Sequence, residues 1–267
     1  TRHQVVGIEA VLPNGDVIEH MAGLIKDNTG YDIASLLCGS EGTLGIVTAA
    51  RLRLLPLHTS RTTVLLGCDS TEEVVHVVQG IRQQFDSLDA AELFFIDGAN
   101  LVAEAFNVAI PFVAPVYLLL EFSADVDLAS DIESHLAQSN FAGLSAVAQD
   151  ELGRAKLWRL REEHTAAISM HGVPHKFDVT VAVSDLPKFI EKTRQGISET
   201  NADWTVFIFG HAADGNMHVN VLGPSATDEL VDEVVLQVVA EFKGSISAEH
   251  GIGSAKKKWL SLSRSHN

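Results

Sequence analysis

Residues 204–220 read WTVFIFGHAADGNMHVN, an apolar run that leads into two histidines, one aspartate and two asparagines. His211 and His218 are an odd number of positions apart, so a single unbroken strand would point them to opposite faces of a sheet. The segment Asp214-Gly215-Asn216 supplies a turn between them, because glycine tolerates a positive φ and Asp and Asn favour turns. The stretch therefore predicts a β-hairpin that brings the two imidazoles together. Asn220 lies on the same strand face as His218, so three polar groups can face one metal ion or oxyanion.

The composition indicates an acidic globular protein. The chain of 267 residues is 46% hydrophobic and carries a formal net charge of −16. This charge argues against general binding to nucleic acid or to anionic membranes, so an anionic ligand requires a local cluster of cations. Cys38 and Cys68 lack metal-ligand spacing, which predicts reduced thiols in a reducing compartment. No apolar run is long enough to predict a membrane span, and we expect a cytoplasmic protein, or a mitochondrial-matrix protein in a eukaryote.

The pattern of the chain changes near Pro56. Residues 1–57 predict short strands with tight turns, whereas the residues after them alternate between helices and strands. The longest helix is predicted from Asp150 to Met170, and one of the strands from Ala142 to Val147. Residues 256–267 run out in polar side chains without closing an element, so we expect the chain to be part of a larger protein.

The segment SAEHGIG, residues 247–253, places an acid beside an imidazole between small residues. Glu249 is a candidate third metal ligand beside His211 and His218. Two imidazoles and one carboxylate are a common divalent-metal set that leaves an open position. The alternative is a glycine-rich surface loop with an exposed Glu-His pair.

Two cationic positions suit an anionic ligand. Arg161 and Thr165 are one helical turn apart and share a face, and a guanidinium beside a hydroxyl suits a carboxylate. Lys176 stands at the start of an otherwise apolar strand. The alternatives are a solvated helix face with intrahelical ion pairs for Arg161 and an edge or surface position for Lys176.

The segment CGSEGTLGIV, residues 38–47, is rich in glycine and hydroxyl residues. Its backbone amides can line a flat or anionic cofactor. The segment matches neither a Walker loop nor a Rossmann fingerprint, so tight turns without a ligand are an equal alternative.

Five motifs together resemble one flavoprotein family. They are KDNTGYD from Lys26, GSEGTLGIVT from Gly39, LWRLREEHT from Leu157, GHAADGNMHVN from Gly210 and SAEHGIG from Ser247. In this order and at these intervals they resemble the FAD-linked D-2-hydroxyacid dehydrogenases. That family includes D-lactate dehydrogenase, the glycolate oxidase flavin subunit and D-2-hydroxyglutarate dehydrogenase. The resemblance covers essentially the whole chain.

The resemblance implies an α+β fold. Residues 1–57 are expected to be the second part of a vanillyl-alcohol-oxidase-type FAD domain, and residues 58–225 an antiparallel-sheet cap, or substrate, domain with flanking helices. Residues 226–267 are expected to return toward the flavin and to stop short of the family's closing segment. Since the family's glycine-rich pyrophosphate loop precedes residue 1, the chain alone is not expected to retain FAD.

The resemblance also assigns ligands to the two cofactors. It implies that zinc or manganese is held by His211, His218 and Glu249. The residues implied to contact FAD are Gly39, Ser40, Glu41, Gly42, Gly45, Ile46 and Asn220.

The substrate site follows from the same resemblance. The substrate carboxylate is expected to contact Arg161, Thr165 and Lys176. Asn220 and His250 are expected to lie beside the reacting carbon, with His250 as the catalytic base.

The resulting hypothesis is an FAD- and metal-dependent dehydrogenase of a small anionic D-2-hydroxyacid, with a separate electron acceptor and with a homodimer as an open option. The alternative is a non-catalytic metal- or partner-binding module that keeps the cap fold. A metallohydrolase built on the two histidines and Glu249 is chemically reasonable, but it leaves KDNTGYD and GSEGTLGIVT without a role.

Overall fold

A computed structural model describes residues 2–24, 26–138, 141 and 143–265 of the chain. The chain forms two compact units, Thr1–Leu57 and His58–Asn267. No helix in the described ranges is long and apolar enough to cross a membrane. Cys38 and Cys68 form no disulfide.

The first unit is a three-stranded antiparallel sheet with one short helix. A 3₁₀ turn, Arg2–Gln4, leads into the first strand. The strands are β1 (Val5–Val11), β2 (Val17–His20) and β3 (Ile46–Leu52), in the order β2-β1-β3, and the helix is α1 (Ile33–Leu37). Gly15 closes the predicted turn between β1 and β2 with a φ of 89°, a conformation that favours glycine. Asp32 begins α1 by accepting a hydrogen bond from the amide of Ser35 at 2.9 Å.

The second unit is built on a seven-stranded antiparallel sheet of order β7-β4-β6-β5-β9-β10-β8. Its strands are β4 (Ser60–Cys68), β5 (Leu88–Phe95), β6 (Val116–Ala124), β7 (Leu144–Ala148), β8 (His175–Thr180), β9 (Thr205–His211) and β10 (Asn216–Leu222). The strand predicted from Ala142 to Val147 corresponds to β7, and Ala142 itself lies outside the described residues.

Helices cover both faces of this sheet. The helices are α2 (Thr71–Gln84), α3 (Ile96–Phe106), α4 (Ala129–Gln138), α5 (Glu151–Glu162), α6 (His164–Ser169), α7 (Leu186–Thr200) and α8 (Leu230–Glu241). Helices α2, α4, α7 and α8 share one hydrophobic core with the sheet, and α3, α5 and α6 share the other. A short 3₁₀ segment, Lys257–Leu262, follows near the end.

Strand alternation decides which side chains enter each core. In β9, Ile208 belongs to the core under α2, α7 and α8, whereas Phe207 and Phe209 belong to the core under α3, α5 and α6. Successive side chains of a strand point to opposite faces. His211 therefore lies on the same face as Phe209, toward α5 and α6.

The prediction of one continuous helix from Asp150 to Met170 is wrong. The structure divides it into α5 and α6 at Glu163. The amide of Glu163 is shared between the carbonyls of Arg159 and Arg161, which tightens the backbone there and interrupts the regular helix.

Candidate functional site

The hairpin predicted around residue 214 is present. Strands β9 and β10 pair in register, with His211 opposite Asn216. Gly215 turns the chain with a φ of 81°, and a Cβ at this position would overlap the carbonyl oxygen of Val181. The rings of His211 and His218 lie with their centroids 5.5 Å apart.

A cavity of about 520 Å³ opens on this face of the sheet. The predicted site residues that line it are Arg161, Thr165, Lys176, His218, Asn220 and His250. They come from α5, α6, β8, β10 and the segment after α8. Lys176 and Asn220 are directly opposite each other in the β8–β10 pair. The fold thus brings to one cavity all five residues predicted to bind substrate.

Glu92 in β5 is a site residue that the sequence interpretation missed. Its side chain is buried, and its Oε2 accepts a hydrogen bond from Nε of Arg161 at 2.8 Å. Its Oε1 lies 2.6 Å from Nδ1 of His211, which sits opposite Glu92 in the β5–β9 pair. A lone acid in the apolar run of residues 90–96 is the signal that could have revealed it, because buried charges are almost always paired.

Asp178 in β8 is a second buried carboxylate that was missed. Its Oδ2 accepts the backbone amide of Glu249 at 2.7 Å and that of His250 at 3.3 Å, and its Oδ1 accepts Nδ2 of Asn216 at 2.7 Å. Lys256, which also lines the cavity, donates to the Asp178 carbonyl at 3.3 Å. Burial alone would raise the pKa of Asp178, but these hydrogen bonds outweigh it and hold the pKa below its usual range.

The pKa values of the two hairpin histidines are shifted in opposite directions. The hydrogen bond to Glu92 raises the pKa of His211. Burial, aided by the nearby charge of Arg161, lowers the pKa of His218 to about 4. His218 is therefore neutral at pH 7, the form in which an imidazole can bind a metal ion.

The predicted metal ligands lie near one another but do not form a complete coordination site. Nε2 of His211 lies 3.9 Å from Oε1 of Glu249, compared with about 3.3 Å between two ligands of a tetrahedral zinc ion. Within the described part of the chain, no group of three or more His, Cys, Asp or Glu side chains is arranged to hold a metal ion. The chemistry of the donors fits such an ion, since Glu92 and Asp178 lie behind the Nδ1 atoms of His211 and His218.

The residues predicted to contact FAD are divided between the two units. Asn220 is in the second unit, and the others form the turn between α1 and the start of β3. Gly39, Glu41 and Gly42 in this turn have φ values of 85°, 51° and 75°, and all three are exposed. Packing explains the glycine at position 45, because a Cβ there would lie 2.9 Å from the carbonyl oxygen of Val11.

The sequence matches a known family over most of its length. Residues 57–267 match the profile of a family described as FAD linked oxidases, C-terminal domain. D-2-hydroxyglutarate dehydrogenase of Xanthomonas citri pv. viticola is 36% identical over 99% of this chain and 58% of that protein. Mitochondrial D-2-hydroxyglutarate dehydrogenase of Rattus norvegicus is 32% identical over 98% of this chain and 51% of that protein. The chain thus spans about half the length of the curated relatives that it matches.

The fold is also similar to those of solved structures. p-Cresol methylhydroxylase with substrate bound has a TM-score of 0.65 at 12% identity, covering 90% of this chain and 56% of that one. Alkyldihydroxyacetonephosphate synthase has a TM-score of 0.64 at 14% identity, covering 98% of this chain and 51% of that one. These neighbours confirm the predicted α+β fold of the vanillyl-alcohol-oxidase type.

Proposed function

Because the chain belongs to the family of FAD-linked oxidases, we propose that it is the substrate-binding part of an enzyme that oxidises a D-2-hydroxyacid to the 2-oxoacid with FAD. The names of the relatives support this class of substrate and favour D-2-hydroxyglutarate over D-lactate or glycolate. The observation that carries the proposal is the cavity in which Arg161, Lys176, Asn220 and His250 meet.

The substrate carboxylate binds to the cations of this cavity. Arg161 and Lys176 supply local positive charge on a chain whose net charge is −16, and Thr165 adds a hydroxyl donor on the same wall. Arg161 is buried and its guanidinium lies 4.6 Å from the centroid of the Phe209 ring. Such a fixed, planar cation suits a carboxylate, and fixing the substrate contributes several kcal/mol toward lowering the barrier.

Proton removal is the role of His250. Nδ1 of His250 lies 3.9 Å from Oδ2 of Asp178, and the exposed ring borders the cavity. His250 accepts the proton of the α-hydroxyl as a general base. Asn220 is buried at the cavity wall and orients the hydroxyl-bearing carbon through its amide.

Two groups complete the chemistry when they are bound. FAD would supply the hydride acceptor, and Gly39, Ser40, Glu41, Gly42, Gly45 and Ile46 of the first unit would contact it. His211, His218 and Glu249 would hold zinc or manganese, which would supply Lewis-acid chemistry. His218 is neutral and needs no deprotonation before it binds the ion, which supports its role as a ligand.

The alternative is a metal- or partner-binding module without catalysis. Turnover separates the two. The intact protein, expressed from its full gene, is incubated with a redox dye and with D-lactate, glycolate or D-2-hydroxyglutarate, and with the L forms of the two chiral acids. We expect a yellow protein that reduces the dye with a D acid and not with its L form. A colourless protein that is inert toward all of these acids would rule out the enzyme.

The metal is tested on the same protein. His218→Ala is expected to abolish bound zinc or manganese in elemental analysis, because one of three ligands is lost. The control is His76→Ala, which changes an exposed histidine on α2 and should keep the wild-type metal content. An unchanged metal content in His218→Ala would remove this residue from the set of ligands.

A further inference from the structure

The buried carboxylate of Glu92 contacts both Arg161 of the proposed substrate clamp and His211 of the proposed metal site. Its side chain is 5% exposed, and each of its oxygens faces a different partner, Arg161 on one side and His211 on the other. A buried carboxylate is unfavourable unless its charge is compensated. Here a guanidinium and an imidazole compensate it together.

The contact with Glu92 fixes the orientation of Arg161. Nε of Arg161 donates to Oε2 of Glu92 at 2.8 Å, while its Cζ atom lies 4.6 Å from the centroid of the Phe209 ring. These two contacts together restrict the rotation of the guanidinium. Within the described structure, no hydrogen bond engages the two terminal nitrogens of Arg161, so they remain available to a carboxylate at the cavity wall.

The contact on the other oxygen fixes the orientation of His211. Glu92 lies 2.6 Å from Nδ1 of this histidine, so the proton belongs on Nδ1 and the lone pair on Nε2. Nε2 faces Glu249, the proposed ligand that lies outside the hairpin. A carboxylate behind a histidine sets its tautomer and ring orientation for metal binding.

We infer that Glu92 is a positioning residue that aligns Arg161 for the substrate carboxylate and His211 for the metal ion through one buried carboxylate. This inference rests on the proposed function. Glutamine in place of Glu92 keeps one carbonyl oxygen and nearly the same volume. It can accept from Arg161 or from His211 but not from both, and it lacks the negative charge that strengthens either contact. The substitution therefore weakens both contacts with a minimal change in packing.

The chain offers a matched control in Glu121. This glutamate lies on the neighbouring strand β6, is also buried, and accepts hydrogen bonds from Thr63 at 2.9 Å and Trp158 at 2.7 Å. It does not line the cavity of Arg161. Glu121→Gln therefore reproduces the loss of a buried charge in the same sheet without touching either partner of Glu92.

The experiment measures two quantities in the intact wild-type protein, Glu92→Gln and Glu121→Gln. These are the KM for the D-2-hydroxyacid and the Kd for Zn²⁺ added to the metal-free protein. We expect Glu92→Gln to raise both by about 10-fold or more, in the range found when a residue supporting a metal ligand is removed. Glu121→Gln is expected to leave both within twofold while lowering the Tm.

The outcomes separate this inference from the proposed function. If Glu92→Gln leaves KM and the zinc Kd within twofold of wild type, or if Glu121→Gln changes them equally, the positioning role is wrong even though the wild-type protein turns over. If the wild-type protein binds zinc but oxidises none of the acids, the proposed function fails and the zinc Kd still decides the role of Glu92. A wild-type protein that does neither contradicts both.

Discussion

The carboxylate of Asp178 in β8 accepts the backbone amide of Glu249 at 2.7 Å, and this contact ties a loop to the edge of the seven-stranded sheet. The same oxygen accepts the amide of His250 at 3.3 Å. The backbone adds a further link, since the amide of Ala248 donates to the carbonyl of Asp178 at 3.2 Å. One buried side chain therefore positions the segment that carries both the proposed base and a proposed metal ligand.

Asp178→Asn tests this contact. Asparagine keeps the size of the side chain but has one acceptor oxygen in place of two, so the bonds to the loop amides and to Asn216 cannot all survive. We expect kcat/KM to fall by about 10- to 100-fold and hydrogen exchange in residues 247–251 to become faster. Asp203→Asn, at an exposed position, is the control. Unchanged exchange in the loop would mean that Asp178 does not hold it.

Arg161→Lys tests the carboxylate clamp. Lysine keeps the positive charge but lacks the planar fork and the Nε donor that reaches Glu92. We expect KM for the hydroxyacid to rise by about 10-fold or more, with a smaller effect on kcat, because binding of the carboxylate is lost in the ground state and the transition state alike. Arg159→Lys changes a more exposed arginine of the same helix and should keep the wild-type KM. An unaltered KM in Arg161→Lys would exclude the clamp.

The burial of His164 predicts that the protein loses stability in acid. His164 is 1% exposed, and neither ring nitrogen has a hydrogen-bond partner among the described residues. Burial, aided by the nearby charge of Arg161, lowers the pKa of His164 to about 3. The unfolded chain takes up this proton below about pH 6.5. The contribution of neutral His164 to the free energy of unfolding is therefore fully present above pH 6.5. It declines as the pH falls toward 3, by up to about 1.4 kcal/mol per pH unit.

Denaturant unfolding between pH 6 and pH 4 measures this effect. His218, with its pKa of about 4, adds a similar slope, so the quantity that isolates His164 is the difference between two proteins. The free energy of unfolding of His164→Leu is expected to depend less steeply on pH than that of wild type, by about 1.4 kcal/mol per pH unit. His76→Leu, at an exposed histidine, should follow the wild-type slope. Parallel curves for wild type and His164→Leu would show that His164 is not buried in its neutral form.

Gly98 leaves room for the same histidine. A Cβ at Gly98 would overlap the ring of His164, and that ring is held between Phe94 and Phe209, so it cannot move away. We expect Gly98→Ala to destabilise the protein by about 1–3 kcal/mol, as overpacking does. Thermal unfolding provides the measurement.

A second helical glycine provides the control for Gly98. A Cβ at Gly80 in α2 would only reach ordinary contact, 3.5 Å from His135. Gly80→Ala should therefore stabilise the protein by about 0.4–1 kcal/mol. If Gly98→Ala also stabilises the protein, the packing around His164 is wrong.

Local patterns in the sequence predicted the elements but not their partners. The hairpin of residues 204–220 could be predicted because glycine and asparagine act within a few residues of the turn that they form. Glu92 and His211, in contrast, are 119 positions apart, and the β5–β9 pairing that joins them has no local signal. Glu92 and Asp178 each resemble an ordinary acid in a strand until the fold supplies a partner.

The same limit explains the histidine that was overlooked. His164 stands in a run of charged residues, a pattern typical of a solvated helix face, and only packing against Phe94 and Phe209 buries it. The candidate substrate residues were named through resemblance to a family. They line one cavity because β8 and β10 are neighbours in the sheet and the loop after α8 contacts β8.

Reduction of the flavin in a single turnover tests the central claim most directly. The intact protein is mixed without oxygen with D-2-hydroxyglutarate, and the loss of the yellow flavin absorbance is followed in wild type and in His250→Gln. The account predicts rapid bleaching by the D acid, none by the L acid, and a rate about 10²-fold lower in His250→Gln. Flavin that stays oxidised with D-2-hydroxyglutarate, D-lactate and glycolate alike, or an unchanged rate in His250→Gln, would contradict it.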